Sequence, residues 1–431
     1  MIRSVLYPEK SRWPEYIQRP VQKLETIEPV IQQIFDQVKA EGDAGLRALT
    51  ARLDKVTLTN LFVKPEEISA AAALISPDLQ QAIQVAADNI KKFHTSQHEP
   101  VRVVETMAGV TCWRKSVPID RVGLYIPGGS APLFSTLLML GIPAQVAGCP
   151  EIILCTPPDK NGNVHPAILY TAHLLGIEKI YKVGGAQAVA AMAFGTESVP
   201  AVYKIFGPGN QYVTVAKQMV SKLGVAIDMP AGPSEVLVLA DEQANPDFVA
   251  SDLLAQAEHG PDSQVVVVTN SEYLLKQVEA SIAKQIIDLP RKEITAKALA
   301  NSLGIVLEDA DQMLAFSNLY APEHLILAVQ NPAVLADKVT NAGSVFLGNY
   351  TPESCGDYAS GTNHTLPTNA YAQAYSGVSL DSFMKKITFQ QISEAGLKNI
   401  GTTVETMAEA EGLRAHKNAV SIRLNTLAKQ G

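Results

Sequence analysis

Gln256 and His259 stand three residues apart just ahead of Gly260-Pro261, at the end of a segment that opens with Asn245-Pro246. Asn before Pro starts a helix well, and Phe248, Val249, Leu253 and Leu254 continue its apolar pattern, so the pair falls in the last turn. On one helix face an amide oxygen and an imidazole can converge on a single ion. Spacing alone is better explained by a polar helix end, where the dipole favours His. Ala321-Pro322-Glu323-His324-Leu325 sets a carboxyl beside an imidazole directly before an apolar strand, which suits acid-base work at a sheet edge or an ordinary polar loop. Glu353-Ser354-Cys355-Gly356-Asp357-Tyr358 and Gly361-Thr362-Asn363-His364 add acids and an imidazole after another strand, and Asp357 there could bind a metal or a cationic amine. Glu411 and His416 flank the start of the last helix, a place where acidic charge and a surface His are unremarkable. His94 and His98 have the better zinc spacing, i and i+4, but lie in the charged run Lys91 to Glu99 before Pro100 and read as a solvated helix end.

Three Gly-rich turns follow apolar runs: Pro127-Gly128-Gly129-Ser130, Gly184-Gly185-Ala186-Gln187 and Gly207-Pro208-Gly209-Asn210. Glycine lets backbone N–H groups approach an anion at a helix start, and such turns sit at the carboxyl ends of parallel strands, where ligands bind. None fits the GxGxxG dinucleotide pattern, so the turns alone favour NAD only weakly.

Elements of alternating type must carry these residues. From Ile27 to Lys92 apolar positions recur at helical spacing. Val122 to Ile126, Glu151 to Cys155, Lys179 to Val183 and Lys204 to Phe206 are short buried-strand patterns separated by helical stretches such as Leu133 to Leu140 and His165 to Leu175. A second strand series runs through Ser234 to Leu239, Gln264 to Thr269, Leu325 to Ala328 and Ser344 to Leu347. After Leu380 the strand signal fades into a helical pattern, with Val420, Leu424 and Leu427 on one side. The expected fold is α/β, with two Rossmann-like parallel-sheet domains, an N-terminal helical arm and a small C-terminal helical domain. The expected boundaries are 1–22 for the arm, 23–125 with 236–378 for a discontinuous first domain, 126–235 for the second, and 379–431 for the C-terminal domain.

The 431 residues exceed what one core usually serves, and 47% hydrophobic with 18% charged residues is an ordinary globular balance. A net charge of −8 without Lys/Arg clusters argues against a nucleic-acid surface. No signal-peptide core or long apolar run is present, so the expected location is cytoplasmic, with no membrane partner. Cys112, Cys149, Cys155 and Cys355 have no CxxC spacing and are expected as reduced thiols.

Gly207 to Asn210, Ile227-Asp228-Met229-Pro230-Ala231-Gly232-Pro233-Ser234-Glu235, Gln256 to Asp262 and Ala321 to Leu325 are long, ordered motifs. Through them the chain resembles histidinol dehydrogenase from about Arg19 to Leu427. The resemblance implies oxidation of L-histidinol through histidinal to L-histidine with two NAD, in histidine biosynthesis. It implies one zinc ion per subunit held by Gln256, His259, Asp357 and His416, with Glu323 and His324 as acid-base residues. Tyr125, Gln187 and Asn210 would contact NAD. Ser234, His364 and Glu411 would complete a substrate site shared with His324 and the zinc ligands. The implied assembly is a homodimer whose C-terminal domain serves the partner's site. A cysteine-nucleophile aldehyde dehydrogenase, a zinc hydrolase and a non-catalytic binding protein are the competing classes.

Overall fold

The computed structural model describes residues 2–19, 26–128, 132–230 and 232–430. Gly129, Ser130 and Ala231 of the motifs above, and 20–22 of the expected arm, lie outside the described residues. The strands are β1 (Arg3–Leu6), β2 (Val103–Met107), β3 (Val110–Pro118), β4 (Arg121–Tyr125), β5 (Glu151–Cys155), β6 (Lys179–Tyr181), β7 (Lys204–Phe206), β8 (Ala226–Ile227), β9 (Glu235–Ala240), β10 (Gln264–Thr269), β11 (Leu303–Val306), β12 (His324–Ala328), β13 (Ser344–Leu347) and β14 (Met384–Ile392).

The chain forms two compact units, 1–97 with 119–383, and 98–118 with 384–431. The first holds two parallel sheets, one ordered β6-β5-β4-β7-β8 and the other β1-β11-β10-β9-β12-β13. The expected α/β architecture with two Rossmann-like sheets is what the chain adopts. Leaving aside β1, both sheets place their strands in the chain-order pattern 3-2-1-4-5, so each reverses direction of travel beside its first strand.

Strands covered on both faces need apolar residues at nearly every position, and all six residues of β9 and of β10 are buried. One face of the six-stranded sheet packs Val236, Val238, Val265 and Val267 against Leu253, Leu274 and Val278 of helices Pro246–Ala257 and Glu272–Gln285. The other packs Leu237, Val266 and Leu325 against Phe316 of helix Ala310–Tyr320 and Trp13. Helix Glu28–Leu53 lies with the five-stranded sheet, its Ile31, Phe35 and Leu46 sharing a core with Val189 and Ala216.

The second unit is an antiparallel sheet ordered β14-β3-β2 and a pair of helices, Glu394–Ala410 and Arg414–Gln430. Here the structure corrects the sequence reading, because β14 continues strand structure beyond Leu380. Its side chains are mostly exposed, so no burial imposes an alternating pattern, and nine backbone register pairs with β3 hold it instead. The arm likewise begins as a strand, β1, before its short helical turns Lys10–Arg12 and Trp13–Tyr16. His94 is also corrected: it is fully buried, continuing the inward stripe Ile83, Ala87 and Ile90 of helix Pro77–Thr95, with Nδ1 against the Ile90 carbonyl. No helix of the described residues is long and apolar enough to cross a membrane.

Candidate metal and acid-base centre

Helix Pro246–Ala257 begins where Asn245 Oδ1 accepts from the Asp247 and Phe248 amides, and ends with Gln256 buried and His259 exposed just past it. Because the helix runs back along the sheet, its end lies at the amino ends of the strands. There Glu323 immediately precedes β12, His324 begins it and Glu235 begins β9, with His324 paired to Val236 in the ladder. The centre therefore sits on the opposite edge from the one where open α/β sheets usually bind ligands.

The Glu235 amide donates to Glu323 Oε2 at 2.9 Å, and the Glu235 carbonyl lies 3.2 Å from His324 Nδ1. On the far side of the ring, His324 Nε2 is 3.4 Å from Asp357 Oδ1. Asp357 and Glu353 are i and i+4 on the short helix Glu353–Tyr358, where a Cβ on Gly356 would stand 2.6 Å from the Phe346 ring. Glycine lets that helix approach closely enough to deliver both carboxyls. One ligand atom each from His259, Glu353 and Asp357 lies within 4.8 Å of the other two.

Electrostatics follow from burying acids beside imidazoles. Burial pushes the Glu323 carboxyl up to about 8, against the pull of His324. Burial alone would lower the His324 pKa, but Glu353, Glu323 and Asp357 hold it well above the ordinary imidazole value. Burial, opposed by His324 and reinforced by Asp357 and Glu323, keeps Glu353 well above the carboxylate range. Burial would raise Asp357 too, yet His324, His364 and His259 hold it low.

Gln256 Oε1, His324 Nε2, Glu353 Oε2 and Asp357 Oδ1 are buried without hydrogen-bond partners. Among the described residues no Lys or Arg forms an ion pair with Glu323, Glu353 or Asp357. Unpartnered oxygens and surplus buried acid fit a divalent cation, and an amide oxygen, carboxylates and an imidazole are a mixed N/O donor set that zinc accepts.

His364 Nδ1 lies 2.8 Å from the Asp357 carbonyl and its Nε2 3.0 Å from Thr136 Oγ1, which joins this loop to helix Phe134–Ala147. Ser234 is half-buried immediately before Glu235. Glu411 and His416 belong to the second unit, where Glu411 caps helix Glu394–Ala410 and His416 is exposed in the first turn of the next. The residue that sequence reasoning missed as a candidate ligand is Glu353. Its i, i+4 spacing from Asp357 was the available signal.

Tyr125, Gln187 and Asn210 gather instead at the carboxyl edge of the five-stranded sheet, beside the point where its strand order reverses between β4 and β7. The Tyr125 hydroxyl accepts from the Gly185 amide at 3.0 Å, and burial pushes its pKa up to about 12. Gln187 Nε2 donates to Asp54 Oδ2 at 3.1 Å, and Asn210 Oδ1 caps helix Gln211–Ser221. At Gly207 φ is +131°, and a Cβ there would meet the Tyr125 carbonyl oxygen at 2.0 Å. Asp228 supports this turn by accepting from the Gly207 amide at 2.8 Å, while its partner Lys217 donates to the Gly207 carbonyl at 2.8 Å.

Burial raises the Cys149 thiol to about 11, which disfavours it as a nucleophile. Cys112 lies on β3 in the second unit.

The histidinol dehydrogenase family model matches residues 17–424. Histidinol dehydrogenase from Bacteroides thetaiotaomicron is 60% identical over 427 residues, covering 99% of this chain and 100% of the relative. The Escherichia coli K12 enzyme is 52% identical over 419 residues, covering 96% of each. A crystal structure of histidinol dehydrogenase from Elizabethkingia anophelis superposes with a TM-score of 0.98 at 59% identity, over 99% of both chains. With sequence, fold and length in agreement from end to end, this chain belongs to the histidinol dehydrogenase family.

Proposed function

We propose that the chain is a cytoplasmic enzyme that oxidises L-histidinol to L-histidine through histidinal, passing one hydride to each of two NAD and taking up one water. Gln256, His259 and Asp357 would hold one zinc ion, joined by His416 of the partner subunit in a homodimer. When bound, zinc would fix the substrate's imidazole and amine while NAD accepts hydride, chemistry that no side chain here can supply.

The protein's own groups move the protons. Glu353, Glu323 and Asp357 hold His324 towards its protonated form until a bound cation offsets their charge; the neutral ring, with Nδ1 turned to the Glu235 carbonyl, would then accept the hydroxyl proton at Nε2 in the first oxidation. Glu323, whose pKa burial pushes up to about 8 so that its carboxylate is a stronger base than a free one, takes in that carboxylate form a proton from the water that adds to the aldehyde. After releasing the first proton to solvent, His324 accepts a second from the hydrated aldehyde in the second oxidation. Ser234 and His364, with Glu411 of the partner subunit, complete the substrate pocket, and Tyr125, Gln187 and Asn210 contact NAD. The observation that carries this reading is the Glu323–His324 pair fixed on one backbone beside the unpartnered Gln256 Oε1 and Asp357 Oδ1.

Dimerisation has its own support in the second unit. Val103, Trp113 and Phe389 form a row across its three strands, with Val103 and Phe389 exposed. Ile387, two residues from Phe389, adds exposed apolar area to the same face, as expected of a subunit interface.

The deciding measurement is NADH absorbance with histidinol, before and after chelation. Two NADH per histidinol, lost with the metal and restored by zinc, are expected. Turnover persisting in metal-free protein would remove zinc from the reading, and ligand binding without NADH would remove the reaction.

A further inference from the structure

Glu235 is nearly fully buried, and its one residue of backbone holds both members of the acid-base pair. Its amide donates to Glu323 Oε2 and its carbonyl faces His324 Nδ1. A carbonyl only accepts, so its 3.2 Å contact, shorter than the 3.4 Å approach of Gln256 Nε2 to the same atom, favours the proton on Nδ1 and leaves Nε2 facing Asp357 Oδ1 at 3.4 Å. Turning the 235 backbone would misdirect the carboxylate and release the tautomer together.

The side chain of the same residue is tied to two distant segments. Arg19 donates to Glu235 Oε2 from Nε at 3.1 Å and Nη2 at 2.7 Å, and the Asn369 amide donates to Oε1. Arg19 is itself fully committed. Nη1 reaches the Ile17 carbonyl at 3.1 Å, Nη2 the Tyr320 carbonyl at 2.6 Å, and the guanidinium lies 3.7 Å over the Tyr320 ring. The Tyr320 hydroxyl donates to Gln264 Oε1 at 2.8 Å, so the cluster spans the starts of β9, β10 and β12. Asn369 and Ala370 adopt φ of +54° and +60°, a left-handed conformation that non-glycine residues enter only when their surroundings hold them there. A buried ion pair generally stabilises no more than apolar residues of the same size, so its purpose is better sought in what it orients.

We propose that Glu235, clamped by Arg19, is the positioning residue of the Glu323–His324 pair, setting the direction of the carboxylate and the protonated nitrogen of the imidazole. The inference rests on the acid-base roles given to those two residues above.

The test uses full-length, zinc-loaded protein with Arg19→Met and Glu235→Gln combined, so that neither charge is left buried alone. Zinc content and the KM for histidinol should stay within about twofold of the parent, while kcat falls about 30-fold or more for both histidinol and histidinal, the scale of misplaced catalytic groups. An unchanged kcat overturns the proposal, and so does a loss confined to KM or zinc content, which general loosening would give. If the double variant does not fold, Arg19→Lys keeps the charge and loses the fork. A roughly fivefold lower kcat at constant KM is then expected, and an unchanged kcat overturns the proposal. His324→Gln is assayed alongside. If it retains kcat, the acid-base assignment fails; if it loses kcat while the Arg19 and Glu235 variants do not, only the positioning role fails.

Discussion

Glu323 and His324 are neighbours in sequence with separate tasks, and a single substitution should part them. Glu323→Gln is expected to slow oxidation of added histidinal by about 100-fold or more, the usual weight of a general base, while slowing histidinol oxidation to the aldehyde far less. Equal losses measured in both half-reactions would remove the water-activating role. Asp252 offers a pH test in the same region, since burial raises its carboxyl to about 7. In the unfolded chain this group ionises near pH 4, so stability falls as pH rises between about 4 and 7 and the deficit stays constant above that. Asp252→Asn should therefore stabilise the fold by up to about 4 kcal/mol at pH 8 and hardly at all at pH 4, read by denaturant unfolding. The same gain at both values would contradict it. Gln256, His259 and the Glu323-His324 pair were visible as chemistry-bearing types at suggestive spacing. What spacing could not give was their convergence, because Asp357 arrives through a glycine-permitted helix contact some hundred residues later.

At the scale of elements, one strand order is used twice and read from opposite edges. The five-stranded sheet offers its carboxyl edge to the proposed coenzyme, whereas the six-stranded sheet carries the proposed metal ligands and acid-base pair at its amino edge. Gly207→Ala tests the first edge. Its Cβ would collide with the Tyr125 carbonyl, so destabilisation of about 2–3 kcal/mol and at least about tenfold weaker NAD binding are expected, with zinc content unchanged. A variant with parental stability and NAD titration would show that the turn tolerates a side chain. Central strands such as β9 and β10 were legible because burial on both faces demands apolar runs. The exposed β14 was not legible, since pairing with β3 rather than burial specifies it. Nor was the choice of edge, which depends on helix Pro246–Ala257 carrying its ligands to its last turn.

At the scale of the molecule, the proposed sharing of sites between subunits predicts complementation. Gln256→Ala and His416→Ala homodimers should each be inactive. If His416 serves the partner, mixed dimers collect both lesions in one site and leave the other intact, giving about a quarter of parental activity after random reassociation. No recovery, with mixed dimers shown to have formed, would place His416 in its own subunit's site. The family was legible at this scale because its motifs run nearly the length of the chain, but the second unit's composition was not, since 98–118 and 384–431 meet only in the fold.

The pairing of Arg3 with Leu303 also sets a timetable. β1 is synthesised some 300 residues before β11, its one sheet neighbour among the described residues, so at ordinary translation speeds it waits roughly 15–60 s before that strand exists. Arg19 travels with it and cannot find Glu235 until more than 200 residues later. On the positioning role proposed for Arg19, a newborn chain cannot order its acid-base pair until the arm is fastened, and activity should be among the last properties it acquires.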